Sequence, residues 1–330
     1  VSRPQPDKPS ISNAMKRLLI PAVGIFILAG QADAQSGSSA SPSPRIETIM
    51  IPKKEGNPIR IFIDLVGEKE IRYFENANTT ATSTIPIADA KQFFFPEPQA
   101  FSTAMGQFRA RDYKAALAGF SKVAEEFKGV RRLPNNPSTR AQYFEIECLR
   151  LLGDYNKMSG MLGAFNKSGL TRENELRQLE LNLMWDAVGR KAWEQLAHLV
   201  DQRSDARMPG NQIAQVAYCR GLVLEQKGEI DEALSAYNEA IVADAAASEV
   251  VARMAAINIL TLIDSDPLVK TAREAWGTED EMKNSPGHSK LLEAGAVARL
   301  FEDFVGAGAP LPDKFRDYVK YEAKESDKQQ

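Results

Sequence analysis

The sequence predicts a mainly α-helical protein, an α-solenoid of antiparallel helix pairs preceded by a small antiparallel β module. Three observations carry that expectation. Apolar residues alternate from Arg45 to Pro96 and then, after Pro96-Glu97-Pro98, recur at helical spacing onward along the chain. A turn-like position, at Arg111, Gly153, Gly189 and Gly228, recurs at intervals of 42, 36 and 39 residues. The composition, 43% hydrophobic and 26% charged over 330 residues, suits a soluble globular chain with a sizeable core and excludes wholesale disorder.

Residues 15–34 carry the three parts of a secretory signal. Lys16 and Arg17 precede an apolar stretch from Leu18 to Gly30, and Ala32-Asp33-Ala34 forms a small-x-small cleavage site. The stretch is well short of the ~20 residues a bilayer span needs. No second one follows, so no membrane span is expected in the mature chain. Leu28-Ala29-Gly30-Gln31 resembles a lipobox, but Gln31 replaces the cysteine that would be acylated. The expectation is cleavage after Ala34 and a periplasmic or secreted protein. Cleavage removes Arg3, Lys8, Lys16 and Arg17 with Asp7 and Asp33, which takes the net charge from −3 to −5. Residues 1–14 are polar and read as an extension of the gene model. Residues 35–44, rich in Ser, Gly and Pro, read as a flexible linker.

Residues 45–96 form the β module. Ile59, Ile61, Ile63 and Leu65 alternate with Arg60, Phe62 and Asp64, as in a half-buried strand. Ile46–Ile51, Ile71–Phe74 and Phe93–Phe95 add shorter β-rich runs, with turns at Gly56-Asn57-Pro58 and Gly67-Glu68-Lys69. About four or five short strands fit a small antiparallel sheet or an SH3/Sm-like barrel. Asn78-Thr79-Thr80 is formally a glycosylation sequon and reads as an Asn/Thr-rich turn.

Residues 97–330 form the helical region, with capping helices at its C-terminal end. Its clearest unit places Ala217, Gly221 and Leu224 before Gly228, then Ala233, Tyr237 and Ala240 after it. Ala104, Asp112, Tyr113, Ala116 and Phe120 repeat the frame around Arg111. Gly153 sits between Ile146 and Met158, whose bulk should hold that helix pair farther apart. Around Gly189 the frame is weakest: Leu196 and Val200 face inward, but Glu194 stands where a small residue belongs. Glu249–Leu262, with Ala255, begins a divergent unit followed by a cap. This pattern resembles the tetratricopeptide repeat (TPR), convincingly from Pro98 to Ala246, although Ala245 replaces the terminal proline of the family pattern. The resemblance implies helix pairs in which Gly221 and Ala233 allow close crossing and each pair covers its neighbour's apolar face.

Chemistry is sparse. No P-loop, dinucleotide fingerprint, H-E-x-x-H or G-x-S-x-G occurs. His198 and His288 lie far in sequence from Cys148 and Cys219, and no C-x-x-C is present, so neither metal nor cofactor is expected. Cys148 and Cys219 read as buried free thiols. His198 reads as a helix-surface or core residue and His288 as a loop or helix-start residue. Trp185, Trp193 and Trp276 read as core. Glu173, Glu175 and Glu180 interleave with Arg172 and Arg177, which suggests a solvated, ion-paired helix face. With 41 Lys+Arg against 44 Asp+Glu, the chain lacks the basic surface of a nucleic-acid binder.

The expected function is therefore non-enzymatic: a scaffold binding a peptide or protein partner. The TPR resemblance implies recognition on the concave face lined by the first helix of each pair. That register selects Phe101, Met105, Phe108 and Arg109, then Tyr143, Glu147 and Arg150, then Leu179 and Leu183, then Tyr218, Leu222 and Glu225. These positions include no lysine or asparagine, so an apolar or aromatic segment is expected there, with Arg109, Arg140 and Arg150 setting register. The alternative is a structural or assembly factor of the cell envelope whose β module binds cell wall or outer-membrane components.

Overall fold

The computed structural model describes residues 45–203, 207–306 and 308–323; the extension, signal and linker expected within residues 1–44 lie outside the described residues. Five strands come first: β1 (Ile46–Pro52), β2 (Ile59–Val66), β3 (Glu70–Phe74), β4 (Ser83–Pro86) and β5 (Ala90–Phe94). They form one antiparallel sheet in the order β4-β3-β2-β1-β5. Strands β4 and β5 are its two edges, joined by a 3-10 turn at Ile87–Asp89. The sheet is open, not the closed barrel that was one expectation. Pro86 ends β4 after four residues, and a proline has no N–H with which to extend a ladder.

Alternation in β2 holds only in part. Ile61 and Ile63 are buried, but a register shift against β3 between Ile63 and Leu65 reverses the phase. Val66 turns inward and Leu65 is left 54% exposed.

Eleven α-helices follow among the described residues, packed as sequential pairs. The pairs are α1 (Gln99–Arg109) with α2 (Tyr113–Glu126), α3 (Pro137–Leu152) with α4 (Tyr155–Ala164), and α5 (Glu173–Gly189) with α6 (Trp193–Asp201). Then come α7 (Gly210–Lys227) with α8 (Ile230–Ala243), and α9 (Glu249–Ser265) with α10 (Pro267–Ala275). Helix α11 (Pro286–Leu300), a π turn (Phe301–Val305) and a 3-10 segment (Asp313–Lys320) close the array.

The first four pairs turn in one way. Arg111, Gly153, Lys191 and Gly228 take left-handed φ values of 65°, 73°, 55° and 78°. Each donates its N–H to a carbonyl three residues back. The next residue donates five back: Asp112 to Gln107, Asp154 to Leu149, Ala192 to Ala187 and Glu229 to Leu224. This Schellman arrangement satisfies carbonyls at the end of one helix. The same following residue is the N-cap of the next helix, and the Asp112 and Asp154 side chains accept a backbone N–H there.

This geometry corrects one assignment. Gly189 is the last residue of α5, and the left-handed position is Lys191. Four residues beyond each N-cap, Ala116, Met158, Leu196 and Ala233 are all 0% exposed. The crossing residue of the third pair is thus Leu196, not Glu194. Gly189 serves a different purpose, since a Cβ there would lie 2.4 Å from Tyr155 Cβ, where α4 meets α5.

Two other glycines stand where the helices of a pair approach closely. A Cβ on Gly221 would lie 2.5 Å from the Tyr237 ring, and one on Gly119 would lie 2.8 Å from Ala104 Cβ. The helices of the first and fourth pairs approach more extensively than those of the second and third, where Ile146 and Met158 occupy the contact and α4 and α6 are shorter. Phe120, Tyr237 and Ala240 are fully buried, as is Ala255 in α9. The fifth pair departs from the pattern: Asp266 caps α10 directly before Pro267.

The sheet does not complete its core alone. Ile46, Met50, Ile61, Ile63, Ile71 and Phe93 pack with Val130 and Leu133 from the segment between α2 and α3. Both of those residues are 0% exposed.

The turn register is testable by urea unfolding. Lys191→Gly relieves a left-handed cost of about 1–2 kcal/mol against a glycine entropy cost of roughly 0.5–1 kcal/mol, so it should raise stability slightly. Gly189→Ala should lower it by about 1–3 kcal/mol through overpacking against Tyr155. If Lys191→Gly is destabilising, the third turn has been misplaced.

Candidate functional site

The face expected to form an open groove is filled by the protein's own side chains. Phe101, Tyr143, Glu147, Arg150 and Tyr218 are all less than 10% exposed, so none offers a free surface. Met105, Phe108, Leu179, Leu222 and Glu225 are half-buried, while Arg109 and Leu183 are exposed.

A polar belt crosses this face from helix to helix. Arg150 Nη2 lies 2.8 Å from Glu147 Oε2 on α3. Asn182 Nδ2 of α5 donates to Glu147 Oε1 at 2.6 Å. Gln178 Nε2 donates to Asn182 and to Gln215 of α7, at 3.1 and 3.0 Å. Trp185 Nε1 donates to Gln215 Oε1 at 2.8 Å. Burial by itself would lower the Arg150 guanidinium, but the Glu147 carboxylate outweighs it and holds the group above its ordinary value.

An aromatic stack runs beside the belt. Tyr155 stacks on Trp185 at 5.9 Å, Trp185 on Tyr218 at 5.6 Å, and Tyr218 meets Tyr237 at 5.6 Å. The Tyr237 hydroxyl donates to Glu225 Oε2 at 2.6 Å. Burial pushes the Tyr155 phenol up to about 12. Farther along, Phe101, Phe108 and Phe120 pack with Phe144 in the first units.

Contacts between the first helices of successive pairs account for the burial, α1 against α3, α3 against α5, α5 against α7 and α7 against α9. Arg111, in the turn between α1 and α2, pairs with Glu249 at the start of α9 at 2.6 Å. This ion pair links the first turn to the start of the fifth pair, with Arg111 itself largely exposed. Gln178, Asn182 and Gln215 carry the belt and stand outside the positions the repeat register selects. Gln178 and Asn182, four residues apart on one face of α5, are its local signal in the sequence.

Other side chains fall as follows. Trp185 is core, and Trp193 and Trp276 are half-buried, the latter stacked on His288 at 5.2 Å. His288 sits in the first turn of α11, where its N–H is capped by Ser285, and His198 is exposed on α6. Cys148 and Cys219 are buried free thiols, and burial lifts Cys148 to about 12. Glu173 and Arg177 form the expected ion pair. Glu175 departs from the expected solvated face: it is buried and pairs with Arg140 and Arg172. Among the described residues no His, Cys, Asp and Glu side chains cluster to hold a metal, and no helix is long and apolar enough to cross a membrane.

An open cleft of about 170 Å³ lies where the sheet joins the helices. Phe94, Phe95, Pro96, Phe101, Arg140 and Arg172 line it. Phe94 is 51% exposed, and Arg140 lies over the Phe101 ring at 4.7 Å. Its mixture of aromatic and arginine side chains is that of protein interfaces.

The belt should behave as structure. Asn182→Ala should cost about 1–3 kcal/mol, because it strips a hydrogen bond from a buried carboxylate. Arg109→Ala, at an exposed position, should stay within about 0.5 kcal/mol. Urea unfolding of the two variants checks this; equal, negligible effects would mean a hydrated, open face. Comparison with known protein families, characterised proteins and solved structures finds no match for this chain.

Proposed function

We propose that this chain is a non-enzymatic interaction scaffold of TPR-like helix pairs, meeting a protein or peptide partner at the cleft between sheet and helices. The observation that carries the reading is Phe94, a large aromatic left half-exposed beside Arg140, Arg172 and a proline-flanked linker. Aromatic and arginine anchors beside a pocket are where binding energy concentrates. The concave face is a poorer choice for recognition, because its central residues are already spent on the polar belt.

The TPR-like assignment is part of the proposal. It is supported by four turns with one hydrogen-bond pattern and by crossing residues at one offset from them. An exported location is part of it too, on the composition of residues 15–34. The alternative, an envelope assembly factor acting through its β module, gains from Leu65 and Phe94, both exposed on the sheet.

Point substitutions are the proper test, since Val130 and Leu133 complete the sheet's core and deleting the strands would strip it. A photocrosslinker replacing Phe94 should trap a discrete partner, and one replacing exposed Glu232 should not. Phe94→Ser should leave the thermal midpoint in place and weaken that partner's binding about tenfold, the equivalent of ~1.4 kcal/mol. Identical crosslinking at both positions would refute the cleft.

A further inference from the structure

Three glutamates of the described chain are buried: Glu145, Glu147 and Glu175, at 7%, 5% and 4% exposure. Two have guanidinium partners, Arg150 for Glu147 and Arg140 with Arg172 for Glu175. Glu145 of α3 has none within ion-pairing distance. One of its oxygens accepts a hydrogen bond from Ser121 Oγ at 2.7 Å. Burial raises its carboxyl above the ordinary carboxylate range, against the pull of Ser121 and Arg131. A buried carboxylate without a cation is an unfavourable arrangement, because desolvation is not offset by an ionic partner.

Its surroundings are open on one side. Glu145 lies in a groove of about 490 Å³, bounded by Leu117 of α2, Leu149 of α3, and Met161 and Ala164 of α4, with Phe165 beyond. The groove's lining is largely apolar. Gly160 widens it: a Cβ placed there would meet nothing within 4 Å. The one lysine at its rim, Lys157, is mostly exposed and already paired with Asp154 at 2.8 Å.

We propose that the groove between α2 and α4 docks a segment of a partner protein that inserts a lysine or arginine, flanked by apolar side chains, against Glu145. Charge complementarity selects this occupant. The aliphatic stem of such a residue packs on Leu117, Leu149 and Met161 while its head supplies the cation that Glu145 lacks. This surface is separate from the Phe94 cleft, and neither proposal depends on the other.

Hexylammonium serves as the probe, an apolar stem with a cationic head, with hexanol and hexanoate as controls. The Met161 methyl resonance of the full chain reports occupancy. Hexylammonium should shift it saturably, and the two controls should bind at least tenfold more weakly. Glu145→Gln, which keeps the shape and can still pair with Ser121, should remove that preference. Gly160→Leu should block all binding without loss of the folded spectrum. If hexanol binds as well as hexylammonium, or if Glu145→Gln leaves the preference intact, the ionic assignment is overturned. If no probe moves Met161, the docking groove itself is overturned.

Discussion

A single left-handed residue between two helices is the constraint on which most of this molecule rests. At Arg111, Gly153, Lys191 and Gly228 it reverses the chain within two or three residues. So short a reversal leaves the second helix only one course, antiparallel and in contact with the first. The register of the pair follows from it, and with the register the identity of the crossing residue. Ala116, Met158, Leu196 and Ala233 differ in volume yet share a position and complete burial. Helix spacing adjusts to their size, while the turn does not change.

The stacking of these pairs determines what the inner face becomes. The first helices of successive pairs pack on one another, α3 on α5, α5 on α7 and α7 on α9. Polar side chains brought together in those contacts are satisfied by one another: Glu147 by Arg150 and Asn182, Gln178 by Gln215, and Gln215 by Trp185. A fully connected network of this kind is tolerated in an interior where a partly connected one would not be.

Local features of this fold were legible in the sequence, and cumulative ones were not. Gly153 and Gly228 announce their turns because glycine is the usual left-handed residue. Lys191 announces nothing, and Gly189 two positions earlier drew the assignment to itself. The alternation of β2 correctly marked a strand, but a bulge that reverses the phase at Leu65 depends on pairing with β3. Whether Glu147 and Tyr218 line a groove or a core depends on Asn182 and Trp185 of a neighbouring pair, remote in sequence. Phe94 carried a local signal as one of three consecutive phenylalanines. Its cleft, however, is assembled with Arg140 of α3 and Arg172 at the N-cap of α5, both distant in sequence.

The sheet's dependence on Val130 and Leu133 bears on the order in which the chain can fold. All five strands are synthesised before the residues that cover their apolar face. Translation at about 5–20 residues per second means that roughly 2–8 s separate the emergence of Phe95 from that of Leu133. Through that interval Ile61, Ile63 and Phe93 lack part of their cover on a sheet with two unpaired edges, the kind of surface on which nascent chains associate. The segment that follows the first helix pair is thus both a structural neighbour of the sheet and the step that ends its exposure.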